Sequence, residues 1–166
     1  NIVFEDADLK RAVLGAQAAI FSGAGQSCVA GSRLLVQRSV IDRFLETLVD
    51  GANRIPVGDP MDVATQIGPI NNVAQYQTIR ELIASGCKEG AKILAGGERP
   101  EGDVCANGYF LRPTVLGNVH NDMSIAREEI FGPVVSVIPF DDEAEAVAIA
   151  NDSKFGLAGA VWTNRV

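Results

Sequence analysis

Hydrophobic residues along the chain recur at two spacings, one helical and one extended. Asp8 is a suitable N-cap for the first helical segment, in which Leu9, Ala12 and Ile20 share one face. Glycines follow that segment and are expected to end it. The helical spacing predicts four helices: Leu9 to about Phe21, Ser39 through about Ala52, Val73 to about Ser85 with Gly86 as its stop, and Glu143 to about Asn151.

Shorter apolar runs between these segments have the length of strands. The run from Val134 to Phe140 is β-branched and apolar enough for burial on both faces. Pro113, inside the third run, indicates a sheet edge or a bulge. The predicted strands are Arg33–Gln37, Lys92–Ala95, Phe110–Leu116, Val134–Phe140 and Gly159–Thr163, while 53–72 and the polar stretch 98–108 are predicted to be loops.

The order of these elements predicts an α/β fold. Strands alternate with helices, which favours a parallel sheet joined by right-handed crossovers. We therefore expect a doubly wound, mostly parallel sheet of about five strands with helices on both faces. A length of 166 residues suits one domain, and 47% hydrophobic residues suffice for a core.

Charge and cysteine content exclude several classes of function. A net charge of −7 without a basic cluster argues against nucleic-acid binding. No apolar run approaches a bilayer span, and no signal-peptide pattern is visible at the start of the sequence. The cysteines are Cys28, Cys87 and Cys105, an odd number, and His120 is the only histidine, so a zinc site is not expected. This pattern favours a reducing, cytoplasmic compartment, although a matrix-type one fits equally.

Cys28 is the candidate nucleophile of the chain. It lies in a glycine-flanked stretch, Phe21–Ser32, directly after the first predicted helix. Glycines allow the backbone to approach the sulfur and its target closely. Residue type alone would favour a buried, inert thiol, because free cysteines usually behave as small hydrophobic residues.

The stretch Phe21–Ser32 resembles the cysteine active-site signature of the aldehyde dehydrogenase superfamily. Arg127–Val134, with its Glu-Glu-Ile-Phe-Gly-Pro core, is similar to the cofactor-side motif of that family. Shorter similarities occur in the family's order over nearly the whole chain: Asn1–Phe4, Asp6–Leu9, Gly108–Phe110, Arg112–Thr114 and Phe155–Ala158.

The resemblance implies a reaction and a role for three residues. Cys28 would attack an aldehyde and form a thiohemiacetal, which becomes a thioester after a hydride passes to NAD or NADP. The backbone N–H of Cys28 would help to hold the oxyanion. Glu129 would accept hydrogen bonds from the nicotinamide ribose, and Phe131 would pack near the nicotinamide. Without the resemblance, Glu129 and Phe131 would be an exposed acid and a core aromatic residue.

The resemblance also implies parts that these 166 residues do not contain. They include the general-base glutamate, the oxyanion asparagine, most of the cofactor-binding domain and the C-terminal oligomerisation arm. We expect residues 1–166 to be the cysteine-bearing catalytic domain, inactive by itself, of a parent enzyme that forms a homo-oligomer, either a dimer or a tetramer. The expected partner is a small aldehyde, with no nucleic acid and no membrane.

Three alternatives stay open at this point. The acyl group could pass to coenzyme A instead of water. A cysteine hydrolase or acyl transferase could use Cys28 with His120 as its base. The chain could also be a non-catalytic module in which Cys28 is inert.

Overall fold

A computed structural model describes residues 1–165 as one six-stranded sheet with helices packed on it. The strands are β1 (Ile2–Val3), β2 (Arg33–Gln37), β3 (Lys92–Ala95), β4 (Thr114–Gly117), β5 (Val134–Phe140) and β6 (Val161–Trp162). Their spatial order is β3-β4-β5-β2-β1-β6, and only the β3–β4 pair is antiparallel. The prediction of a mostly parallel α/β sheet is confirmed.

The helices are α1 (Leu9–Phe21), α2 (Ile41–Arg54), α3 (Val73–Glu89), α4 (Asp103–Ala106), α5 (Ser124–Arg127) and α6 (Glu143–Asn151). The N-caps of α1 and α6 are aspartates. The Asp8 side chain accepts a hydrogen bond from the Arg11 backbone N–H, and Asp142 accepts one from Glu145. Both caps satisfy amides that the helix itself cannot pair.

Helices cover both faces of the sheet. The β1–α1–β2 connection moves towards the β3 edge, whereas the β5–α6–β6 connection moves towards the opposite edge. Right-handed crossovers that move in opposite directions place their helices on opposite faces. Burial agrees with this arrangement, because the consecutive residues Leu34, Leu35 and Val36 are all buried although they alternate between the faces.

Several details differ from the sequence predictions. β1 was not predicted, because two residues are too few to show a pattern; it is held between β2 and β6. β4 lies inside the sheet, so Pro113 does not mark an edge; it lies just before the strand, and the irregular pairing is in β3 between Ile93 and Ala95. Cys105, expected in a polar surface loop, is buried in the short helix α4.

Helix α3 runs past its predicted stop. Gly86 lies inside the helix, where a Cβ would come within 2.9 Å of the Ile125 side chain. The helix ends instead at Gly90, which has the left-handed φ of 113° typical of a C-terminal glycine. Gly86 therefore serves close packing between α3 and α5.

None of the helices between residues 1 and 165 is long and apolar enough to cross a bilayer.

Candidate active site

The loop that carries Cys28 begins where α1 ends. Gly23, Ala24 and Gly25 have φ values of 59°, 56° and 66°, so three successive residues adopt left-handed backbone conformations. Such a turn reverses the chain directly after the helix and favours glycine. The Ala30 N–H then donates to the Ser27 carbonyl at 3.1 Å, closing a tight turn whose second residue is the exposed Cys28.

The Cys28 turn leaves a donor available beside the sulfur. Within residues 1–165, the Cys28 backbone N–H has no hydrogen-bond partner. A free amide next to a thiol can stabilise an oxyanion on the carbon that the sulfur attacks. The turn itself is held from outside, because the Gln26 side-chain oxygen accepts a hydrogen bond of 2.9 Å from the Asn71 backbone N–H.

The second motif presents two carboxylates in different situations. Glu128 forms an ion pair with Lys154 at 3.0 Å. Glu129 is exposed, and in the described part of the chain its carboxylate has no hydrogen bond or ion pair. Of the two acids, Glu129 is therefore the one free to bind a ligand.

Phe131, two residues further on, is half-buried and has a φ of 51°, which is rare for a bulky residue.

A polar network anchors the start of this motif. Arg127 pairs with Asp152 at 2.6 Å, and Asn121 donates to the same carboxylate at 2.8 Å. The hydrogen bond from Arg127 holds the pKa of Asp152 below its usual range. Asn121 also accepts a hydrogen bond of 2.5 Å from Arg33 on β2, whose guanidinium pKa is lowered by burial. The network ties the motif to the sheet.

The two motifs meet at one end of the sheet, where β2 and β5 begin. The Cys28 loop precedes β2 and the Phe131 segment precedes β5, and these strands are parallel neighbours, so both loops lie at the same end. The backbones touch there, since a Cβ on Gly25 would lie 2.1 Å from the Gly132 carbonyl oxygen. Only glycine permits this approach.

A cleft of about 420 Å³ opens where the loops meet. It is lined by Gly23, Gln26, Asn71, Asn72, Gln75 and Phe131. Its volume falls in the range of small-molecule sites, and it combines one aromatic wall with several amide side chains. Cys28 lies two residues beyond Gln26, in the loop that forms one wall.

Asn71 and Gln75 were not predicted to belong to the site. Asn72 and Gln75 have the spacing of a capping box, and Asn72 does accept a hydrogen bond from the Gln75 backbone N–H at 2.9 Å. The Gln75 side chain departs from that pattern, because it donates to the carbonyls of Ile130 and Phe131. The Asn72–Gln75 spacing was the one sequence signal that pointed to Gln75, but it predicts a helix cap and not a hydrogen bond to the Phe131 segment.

The alternative pair of Cys28 and His120 is not brought together. His120 follows β4, whereas Cys28 precedes β2, and these strands run in the same direction, so the two residues leave the sheet towards different ends. No hydrogen bond joins their side chains in residues 1–165. The same residues contain no cluster of three or more histidine, cysteine or acidic side chains suited to a metal ion.

An α/β domain with an exposed thiol in a glycine-rich turn, beside an aromatic-walled cleft, is typical of an enzyme that uses a cysteine nucleophile. The chain belongs to the aldehyde dehydrogenase family, whose family model matches residues 1–166.

Similar proteins include two curated betaine aldehyde dehydrogenases. The chain is 47% identical over 162 residues to that of Brucella anthropi, covering 98% of this chain and 33% of the relative. It is 45% identical over 166 residues to that of Bacillus subtilis, covering 100% of this chain and 34% of the relative. The chain thus spans about a third of the length of these relatives.

Solved structures show the same fold over nearly all of this chain and about a third of their own. The structure of betaine aldehyde dehydrogenase from Staphylococcus aureus in complex with NAD⁺ matches with a TM-score of 0.96 and 43% identity, over 99% of this chain and 32% of that one. The structure of a mutant aldehyde dehydrogenase from Bacillus cereus matches with a TM-score of 0.94 and 44% identity, over 100% of this chain and 33% of that one.

Proposed function

We propose that the protein containing this chain oxidises an aldehyde to a carboxylic acid, with Cys28 as nucleophile and NAD or NADP as cofactor. The observation that carries the proposal is the backbone contact between Gly25 and Gly132, which joins the loop of the exposed thiol to the segment of Glu129 and Phe131. Family membership supports the same reaction. In this proposal, residues 1–166 form the cysteine-bearing catalytic domain.

The chemistry of Cys28 begins with addition. The thiolate forms a C–S bond to the aldehyde carbon, and the carbonyl π electrons move to oxygen. The free Cys28 N–H can donate to that oxyanion. A nicotinamide cofactor, when bound, would be the oxidant: it would accept the hydride lost from the same carbon as the oxyanion electrons re-form the C=O bond. The acyl group then stays on sulfur as a thioester, which water cleaves to the acid.

Residues of the second motif and of the cleft suit such a cofactor. Glu129 offers a free carboxylate, whose lone pairs can accept hydrogen bonds from both hydroxyls of a ribose diol. Phe131 forms the aromatic wall of the cleft and can restrict where a flat ring lies. The side-chain amides in the cleft provide further donors and acceptors for polar groups.

The test uses the natural protein that contains this chain. We expect it to form reduced nicotinamide from NAD⁺ or NADP⁺ with at least one aldehyde of a panel headed by betaine aldehyde, the compound in the relatives' names. Cys28→Ser should abolish turnover, and the matched control Cys87→Ser should retain it. Retained turnover in Cys28→Ser would contradict the proposal.

Product analysis separates the variants of this reaction. A free acid formed without coenzyme A indicates hydrolysis, whereas an acyl-coenzyme A product indicates transfer. Ester or amide cleavage that requires His120 but no nicotinamide would favour a hydrolase instead.

We also propose a reducing, cytoplasmic setting for the parent enzyme. We propose in addition that the parent enzyme is a homo-oligomer, either a dimer or a tetramer, and measurement of the size of the natural protein tests this.

A further inference from the structure

Phe131 adopts a backbone conformation that needs support. Its φ of 51° lies in the left-handed region, which a bulky side chain rarely enters. Residues in such conformations persist only where their surroundings hold them. The glycine that follows, Gly132, is buried against Gly25 and cannot absorb a change at Phe131 without moving the Cys28 loop.

Gln75 holds both carbonyls of this segment. Its side-chain nitrogen donates to the Ile130 carbonyl at 2.7 Å and to the Phe131 carbonyl at 3.2 Å. A primary amide carries two N–H groups, so one side chain can serve both acceptors. The two bonds fix the peptide on each side of the Phe131 α-carbon, which restricts its φ and ψ together.

The residues just before α3 also contact the Cys28 loop. The Asn71 N–H donates to the Gln26 side chain at 2.9 Å, and Asn72 caps α3 through the Gln75 N–H. Residues 71–75 therefore contact the cysteine loop at one end and the Phe131 segment at the other. The segment 71–75, which leads into the first turn of α3, therefore connects the two motifs.

We propose that Gln75 is a positioning residue that holds the Phe131 peptide in its left-handed conformation and so sets the place of the Phe131 ring relative to Cys28. The inference rests on the proposed function, because it concerns the aromatic wall of the same cleft. It requires no contact between Gln75 and the cofactor.

The decisive comparison is between Gln75→Met and Gln77→Met in the natural protein. Methionine keeps the length of the side chain but removes the donor, and Gln77 is an exposed residue of the same helix. In crystals without cofactor, we expect Phe131 to leave the positive φ region in Gln75→Met but not in Gln77→Met. A Phe131 that keeps its φ and position in Gln75→Met overturns the proposal.

Calorimetric titration with NAD⁺, without aldehyde, provides the second measurement. We expect the dissociation constant to rise about tenfold in Gln75→Met and to stay within about twofold in Gln77→Met, as loss of hydrogen-bonded support predicts. Weaker binding with an unchanged cofactor-free backbone would mean that Gln75 contacts the cofactor directly, and would overturn positioning.

If Gln75→Met does not fold, Gln75→Glu keeps the shape, replaces the donor with an acceptor, and should produce the same changes. If the unmodified protein oxidises no aldehyde, the proposed function fails, but the crystal comparison still decides whether Gln75 holds Phe131.

Discussion

Replacement of Gly25 by alanine tests the contact on which the candidate site depends. The added Cβ would lie 2.1 Å from the Gly132 carbonyl oxygen, 2.3 Å from its carbon and 2.8 Å from the Pro133 nitrogen. All three atoms belong to the backbone, so no side chain can rotate away. We expect Gly25→Ala to force the cysteine loop and the Phe131 segment apart.

The magnitude follows from two terms. Alanine at a φ of 66° costs about 1–2 kcal/mol in the left-handed region. Overlap with packed backbone adds about 1–3 kcal/mol. Gly23→Ala is the matched control, because Gly23 has a φ of 59° but no atom within 4 Å of the added Cβ. The difference between the two variants therefore isolates the contact, at about 1–3 kcal/mol.

Urea unfolding, monitored by circular dichroism, gives the free energy of unfolding of both variants and of the unmodified protein. We expect Gly25→Ala to lose clearly more stability than Gly23→Ala, and also to weaken NAD⁺ binding, since Phe131 is displaced with Gly132. Equal losses of stability in the two variants would show that Gly25 and Gly132 do not touch, and would remove the main support for the proposed site.

Two further changes test the packing of α3 against α5. Gly86→Ala should destabilise the protein by about 1–2 kcal/mol, because its Cβ would lie 2.9 Å from Ile125; helix propensity alone predicts a gain, so the sign of the change in melting temperature decides. Glu89→Gln should destabilise the protein at neutral pH, since hydrogen bonds from Ser124 and Ser85 lower the pKa of Glu89 from 4.5. A lowered pKa adds stability above that value which is lost as the pH falls through the folded-state pKa. The melting-temperature difference between Glu89→Gln and the unmodified protein should therefore shrink below about pH 4.5, and a constant difference would contradict this account.

N-cap residues and apolar spacing predicted the helices whose ends depend only on neighbouring residues. Helix α1 begins after Asp8 and ends at Phe21, and α6 spans Glu143–Asn151, as their caps and apolar spacing indicate. In each case the N-cap aspartate accepts a hydrogen bond from a backbone amide three residues later. Such an interaction lies within one short segment and can be predicted from the sequence alone.

Elements that depend on distant contacts were predicted less well. Gly86 and Gly90 are both acceptable helix stops, and only packing against Ile125 shows that the first lies inside α3. The strand β1 exists because β2 and β6 pair with its two residues from both sides. Neither fact has a signature within the segment concerned.

The candidate site also combines features that the sequence shows with features that depend on distant contacts. That Cys28 and Phe131 each precede a strand is visible in the sequence, and parallel strands would place both at one end of the sheet. That β2 and β5 are neighbours is a long-range fact. The role of Gln75 could not be predicted from the sequence for a further reason. Its side-chain amide donates to backbone carbonyls, which every residue has, so the residue types of its partners give no signal.

A site built from two strand entrances depends on the ladder between those strands. Five residue pairs, from Arg33 with Ser136 to Gln37 with Phe140, align β2 with β5 and fix how far each loop projects. A shift of one residue in this register would turn every side chain of one strand to the other face and would disrupt the close packing on both buried faces. The β2–β5 ladder therefore places the thiol loop and the Phe131 segment at the same end of the sheet, and the hydrogen bonds of Asn71 and Gln75 hold the two loops locally.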